Sequence, residues 1–393
     1  MLKTKSIKSK LAWLLKTCSE YLAFAKTRFV VIGVADLHRR DTLFKQCSFY
    51  LAGKDRFIVS VPTSATAIEN WIFHDSTFEK RKGSRLSWIL GILCGKILLL
   101  KDTALARRLQ SIARGKFFLV DSSGIYRLSA WRWASIFGDG TAATYRSRFA
   151  KLSADSDRVV VLGTGPSAEL VFEDKYAGLP IITCNSAIKS KRLRDRNIFA
   201  LCVCDPLYYL SPTAYYSAFR NQLQSWIAEK SGPALVVPAS HAEVCRRINP
   251  WFPPERLCGV ITSHHLVPSF NFLNNPATGD SNSVLTALML PTAATFFREI
   301  TLIGFDGRAP GVDYFWKHND EFQFIELLES VKEYDRAFFS QKNGDIYARH
   351  SDTFAEELRS CLTALHAIGC VVSMEHPSFI APLSELYESG KSA

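Results

Sequence analysis

From Arg158 onward the chain alternates short apolar runs with stretches long enough for a helix, and that alternation leaves few folds open. The runs are Arg158–Gly163, Pro180–Asn185, Phe199–Asp205, Ala234–Pro238, Glu299–Asp306 and Cys370–Met374. Each reads as a buried strand, and segments with helical spacing, such as Ser283 to Phe297, lie between several of them. Buried strands joined by helices predict an α/β fold with a doubly wound, mostly parallel sheet of Rossmann type. Sheets of this kind bind ligands beyond the carboxyl ends of their strands. The residues following the runs are therefore the candidates: Gly163–Ser167, Asn185, Asp205 and Asp306.

Four earlier runs, Phe29–Val34, Arg56–Val61, Lys96–Leu100 and Lys116–Asp121, predict strands of a separate α/β unit, and no phosphate loop or acid/base pair stands among them. Gly138–Gly140 and the polar stretch Lys151–Asp157 look like the exit from that unit. The expected division is a basic N-terminal α/β domain over 1–150 and a second, ligand-binding α/β domain over 151–393. Charge follows the same division, with a balance of +16 over residues 1–150 and −5 over the remainder. Such asymmetry suggests that the first part faces an acidic surface, with phospholipid, phosphorylated glycolipid and nucleic acid as the chemical options; a solvated basic face is the plain alternative.

The ten cysteines form no CxxC and no Cys/His metal spacing, so neither zinc nor a disulfide framework is expected, and reduced cytoplasmic thiols are the plain reading. Lys3, Lys5, Lys8 and Lys10 precede only a short apolar stretch, which argues against a secretory signal. The longest apolar run, Trp88–Leu100, has 13 residues and includes Lys96. A bilayer span needs roughly 20. The expected location is the cytoplasm, with peripheral contact at the inner membrane surface as an option for the basic region.

Val159–Ser167 combines a strand, a glycine turn and a helix start, with Pro166 compatible with the first helical turn. Free amides and the dipole at such a helix end favour an anion, whereas the bland alternative is a tight turn with Ser167 as its cap. Gly163, Gly165 and Ala168 also match the dinucleotide fingerprint, but the second strand ends in Cys184-Asn185 where that fingerprint expects an acid for the ribose, which weakens NAD binding. The absence of GK[ST] disfavours a P-loop ATPase.

Several segments in order resemble the bacterial lipooligosaccharide sialyltransferases, glycosyltransferase family forty-two. Gly163-Thr-Gly-Pro-Ser167 looks like their G-N-G-P-S loop and Cys184-Asn185 like their C-N pair. Ser283–Leu288 followed by Ile300–Asp306 resembles their helix and L-x-G-I-D strand, and Arg349-His350-Ser351 their G-H-S segment. Glu375–Ser378 lies where the family has C-P-N-S, so the resemblance spans roughly residues 158–382. It implies a GT-A-like fold without a metal, with no cofactor beyond the donor, and inverting transfer of an acidic sugar, sialic acid or Kdo, from CMP to a bacterial surface glycan or glycolipid. The donor would be held by Gly163, Thr164, Gly165, Pro166, Ser167, Asn185, Asp205, Ser281, Asn282, Asp306 and His376, with His350, Arg308 and Tyr314 catalytic. Thr164 replaces the family's loop asparagine, and Arg308 replaces the first of two tyrosines that bond the leaving phosphate; Tyr314 matches the second. A guanidinium can take over from that tyrosine, because its fixed fork matches phosphate oxygens.

His350 is the expected general base, since a histidine of ordinary pKa, about 6.5, exchanges protons near neutrality. His318 is the reserve. Ser281–Ser283 are expected to cap a helix, Phe270–Asn275 to form an exposed loop near the acceptor, and the stripe Phe354, Leu358, Leu362, Leu365 to pack on the core. The expected partners are a nucleotide sugar, an acidic glycan or glycolipid and an anionic membrane surface, rather than nucleic acid. Two alternatives belong to other classes: a pterin pyrophosphokinase-like enzyme using ATP, and a non-catalytic nucleotide-binding protein of an envelope pathway.

Overall fold

The computed structural model of the chain describes short strands of the first 139 residues, then 140–205, 213–228, 232–239, 251–263, 268–279, 283–308, 320–334 and 344–391, with single positions 241, 242, 245, 249 and 281 between them. The side chains of the early strands, and those of 344–351, lie outside the described residues. The chain divides into two compact units, Met1–Arg132 and Trp133–Ala393.

In the first unit six strands form one sheet in the order β3-β4-β2-β1-β5-β6. They are β1 (Phe29–Ile32), β2 (Arg56–Val61), β3 (Trp71–Phe73), β4 (Ser76–Lys82), β5 (Ile97–Leu100) and β6 (Phe117–Leu119). All neighbours run parallel except the β3–β4 pair. The four predicted strands are β1, β2, β5 and β6. The other two escape a search for apolar runs, because β4 reads STFEKRK and β3 has three residues.

The second unit holds an eight-stranded sheet in the order β12-β11-β10-β9-β8-β7-β13-β14. Its strands are β7 (Arg158–Leu162), β8 (Ile181–Cys184), β9 (Ile198–Cys202), β10 (Ala234–Pro238), β11 (Leu257–Ser263), β12 (Ala277–Gly279), β13 (Glu299–Ile303) and β14 (Val371–Met374). Every adjacent pair is parallel. The predicted doubly wound α/β fold is therefore present. Central strands are sealed on both faces: β8 and β10 have every residue buried, and β7 all but its first. β11 and β12 were hidden by glycine and polar residues, as in Leu-Cys-Gly-Val-Ile-Thr-Ser.

Helix α1 (Gly140–Phe149) belongs to this second unit, although the charge and turn pattern place the boundary at residue 150. Arg148 donates to the carbonyl of Leu257 on β11 at 2.7 Å, and the buried ring of Phe149 lies 5.1 Å from that of Phe272. Phe272 is itself fully buried and its amide donates to Thr295 Oγ1, so one ring anchors the stretch 270–275, while Asn271, Leu273, Asn274 and Asn275 around it are exposed, as the polar residues suggest. The helix expected from Ser283 to Phe297 is split. A π-turn over Leu285–Met289 precedes the short helix α3 (Leu290–Phe296), while α2 spans Ala214–Ile227. Pro291 has no N–H for the carbonyl four residues back, and Leu290 bonds instead to the carbonyl of Leu285. Helix α4 (Leu328–Tyr334) is followed by the long α5 (Gly344–Ala367) and by α6 (Ala381–Lys391). The α5 stripe packs as expected, with Leu358 and Leu365 fully buried and Phe354 and Leu362 against the same core.

Beyond β10, His241 is buried, and burial pushes its pKa down to about 3. Between that value and its unfolded value near 6.5 the unfolded chain binds a proton that the folded chain refuses, so stability falls as pH falls through this window. We expect wild-type protein to lose about 1.4 kcal/mol per pH unit there relative to a His241→Leu variant, measured by urea unfolding. Parallel pH profiles for the two proteins would show that folded and unfolded His241 take up their proton alike, and would contradict the lowered value.

Candidate functional site

The strand order reverses beside β7. From β7 the chain moves outward through β8 to β12, then returns to place β13 and β14 on the other side. The crevice at such a reversal opens beyond the carboxyl ends of the two strands that flank it, here β7 and β13.

Both ends turn sharply, and they turn into each other. The amide of Gly163 donates to the carbonyl of Ile303 at 2.8 Å, and that of Gly165 to Gly304 at 2.9 Å. The Ser167 amide is shared by both carboxylate oxygens of Asp306 at 3.2 Å, and the Ser167 hydroxyl donates to Oδ2 at 2.9 Å. A Cβ at Gly165 would collide with the Asp306 carboxylate, and one at Gly163 with the Gly304 carbonyl. These glycines are required because two protein turns approach closely. Gly304 in turn has a φ of +80°, which favours glycine.

The loop was expected to offer its amides to a phosphate. Instead, the amides of Gly163, Gly165 and Ser167 are taken by the protein, and the anion at the turn is Asp306. The helix that follows is a seven-residue 3-10 turn, Pro166–Phe172, with Pro166 exposed and Thr164 half-buried before it. Its dipole is correspondingly short, since macrodipoles grow from aligned peptide units.

His376, just past β14, completes this core. Its Nε2 accepts from the Gly304 amide at 2.9 Å, so the ring proton sits on Nδ1, 2.8 Å from the Pro377 carbonyl. Nδ1 is 3.9 Å from Asp306 Oδ1. Both nitrogens are used and the residue is buried, so His376 supports the β13 turn and does not reach toward a nucleotide as its position suggested. Ser378 Oγ donates to the Phe305 carbonyl at 2.7 Å, and the Phe379 amide to that of Asp306 at 2.7 Å. Lys175 meets Glu375 at 2.8 Å, tying the segment after β7 to the end of β14. Burial works against charge on Glu375, yet the Lys175 ammonium holds its carboxyl below the usual range.

Asn185 stands at the carboxyl end of β8, the strand beside β7. It has a φ of 48°, the single positive value at a non-glycine among the described residues. Its Oδ1 is buried and lacks a hydrogen-bond partner. A buried acceptor of this kind costs free energy until a donor arrives. The following stretch is firmly held: Lys189 donates to the Gln323 carbonyl at 2.8 Å, and Ser190 to Glu321 at 2.6 Å. Cys184, the nearest thiol, is no nucleophile, because burial pushes it up to about 12.

Asp205 lies exposed beyond β9, and Arg308 is two residues past Asp306, partly buried. Ser281 has its hydrogen-bonding capacity filled within the protein. It donates to Glu357 of α5 at 2.7 Å and accepts from the Ser283 amide at 3.2 Å, with Thr286 Oγ1 at 2.6 Å. Ser283 caps the helix start through the Leu285 amide at 3.2 Å. The expected cap is there, whereas the donor-binding job expected of Ser281 has no free group to perform it. Asn282, Tyr314 and His318 lie outside the described residues, and His350 lies in α5 with its side chain outside them.

The structure thus bonds Ser167 of the glycine turn to Asp306, holds His376 on the same β13 turn through the Gly304 amide, and sets Asn185, Asp205 and Arg308 along the same edge. Glu357, Lys175 and Phe379 had no signal in the sequence, since each matters through a neighbour far along the chain. Among the described residues, no three His, Cys, Asp or Glu side chains gather as a metal site, and no helix is long and apolar enough to cross a membrane. Comparison with protein-family models, curated proteins and solved structures found no match.

If the Asp306 carboxylate holds the two turns together, Asp306→Ala should lose about 2 kcal/mol or more, the scale of hydrogen bonds to a charged group. Asp306→Asn, which keeps an acceptor oxygen, should lose less than half of that. Urea unfolding checks both; an alanine variant as stable as wild type would remove the clamp.

Proposed function

We propose that this chain is an inverting glycosyltransferase that moves an acidic sugar from a CMP donor to a glycan or glycolipid acceptor. The observation that carries the reading is at Asn185: a buried, unsatisfied amide oxygen on a left-handed backbone, on the carboxyl edge one strand from the reversal. A ligand hydroxyl or amino group placed there would supply the missing donor. The order of short motifs resembling the sialyltransferases narrows the ligand to a cytidine nucleotide.

In this reading Asp306 orders the turn, and Arg308 supplies the positive charge for the leaving phosphate. The acceptor hydroxyl loses its proton to His350, its oxygen bonds to the anomeric carbon, and the bond from that carbon to the phosphate oxygen breaks, releasing CMP. Topology supports the placement of His350. Helix α5 leads directly into β14, so in a parallel crossover it runs opposite to the strands, with its N-terminal part toward their carboxyl ends. Glu357 is bonded to Ser281, and His350 lies two turns earlier, about 10 Å further along the axis. The basic residues of the first unit would then meet the acidic acceptor or an anionic membrane surface.

A non-catalytic nucleotide-binding protein is the second reading, favoured by the closed glycine turn, which leaves a phosphate no free amide at Gly163, Gly165 or Ser167. Thermal shifts with CMP, UDP, ATP and NAD separate the classes. Stabilisation by CMP is expected, and stabilisation by ATP or NAD alone would contradict the proposal. With a CMP-sugar in hand, His350→Ala should abolish transfer while CMP still binds, and Arg308→Ala should slow turnover roughly a hundredfold, the scale of losing one transition-state donor. Full activity in the His350 variant would mean that another group is the base.

A further inference from the structure

Phe379 is exposed at 65%, as much as any large apolar side chain among the described residues, yet its backbone is tightly fixed at the site. Its amide is bonded to Asp306, and Ser378 beside it is bonded to Phe305. Gly307, with a φ of +70°, lies so close that a Cβ there would sit 2.8 Å from Ile380 Cγ1 and 3.2 Å from the Phe379 carbonyl carbon. Segment 378–380 is thereby clamped on the turn that carries Asp306 and leads to Arg308.

The ordinary structural use of such a residue is missing. Ile380 accepts the first bonds of α6 from Leu383 and Ser384, so Phe379 is the residue just before the helix cap. A large apolar side chain there normally packs on the fourth helical residue as a hydrophobic staple. That residue is Ser384, which offers no apolar surface. The backbone of Phe379 is fixed on the turn beside the crevice, and its ring is left uncovered.

Resting on the nucleotide reading above, we infer that Phe379 is the platform on which the nucleobase stacks. A phenyl ring has no hydrogen-bonding group and offers only a face, which suits a flat heterocycle. Phe379 is held on the same turn as Asp306 and Arg308, so a base stacked on its ring would leave the attached ribose and phosphate on the side of Arg308. Phe379 is thus a binding residue and takes no part in bond breaking.

The test compares CMP with ribose 5-phosphate by calorimetry on wild type, Phe379→Ala and Phe379→Trp. The two probes share the phosphorylated sugar and differ in the base. Wild type should prefer CMP, Phe379→Ala should bind it about tenfold more weakly with ribose 5-phosphate unchanged, and Phe379→Trp should keep the preference. If wild type binds CMP and the alanine variant binds it equally, the platform is overturned while the nucleotide reading stands. Equal weakening of both probes would mean that Phe379 acts by positioning the loop, which also overturns stacking. If wild type binds neither probe, the nucleotide reading falls and the platform with it.

Discussion

The contact on which the site depends is the one between the Asp306 carboxylate and Ser167. It closes the turn after β7 onto the turn after β13, the two strands that flank the reversal in sheet order. A charged acceptor shared by an amide and a hydroxyl is among the stronger bonds available to a partly buried loop. It also dictates the local sequence. Glycine stands at 165 because the carboxylate lies against its Cα, and at 163 because the Gly304 carbonyl does. His376 then satisfies the Gly304 amide from β14, so three adjacent strand ends form one hydrogen-bonded unit.

This unit changes what a glycine turn means here. Glycines after a first strand suggest a phosphate cradle, because bare backbone and a helix start attract anions. Here the protein supplies its own anion. A ligand phosphate must then find positive charge elsewhere on the edge, which is why Arg308 carries that role in the proposed mechanism. Specificity for the rest of the ligand falls to groups that the clamp leaves uncommitted, of which Asn185 has the clearest unmet need.

Much of this was legible in the chain, for a physical reason. A strand buried on both faces must be apolar almost throughout, so β7, β8, β9, β10 and β13 announce themselves, and the rule for parallel sheets then points to their carboxyl ends. β14 was also read as buried from its apolar run, but it is the edge strand, with Val371 65% exposed and only Met374 buried. Short or polar strands do not: β12 is Ala-Thr-Gly, and β4 carries four charges in seven residues. Side-chain commitments were harder still. Nothing local to Asp306, His376 or Ser281 tells that their polar atoms are consumed by Ser167, Gly304 and Glu357, because each partner lies 72 or more residues away. Pro291 was visible, but its consequence, a π-turn in place of a straight helix, depends on how the preceding turn re-forms its bonds.

The account stands or falls on where a nucleotide sits. A crystal structure of the protein soaked with CMP tests this most directly. It should place the ligand on the carboxyl edge across β8, β7 and β13, with a polar group on Asn185 Oδ1 and Ser167 still bonded to Asp306. CMP bound away from that edge, or a phosphate on the Ser167 amide with Asp306 swung aside, would contradict it.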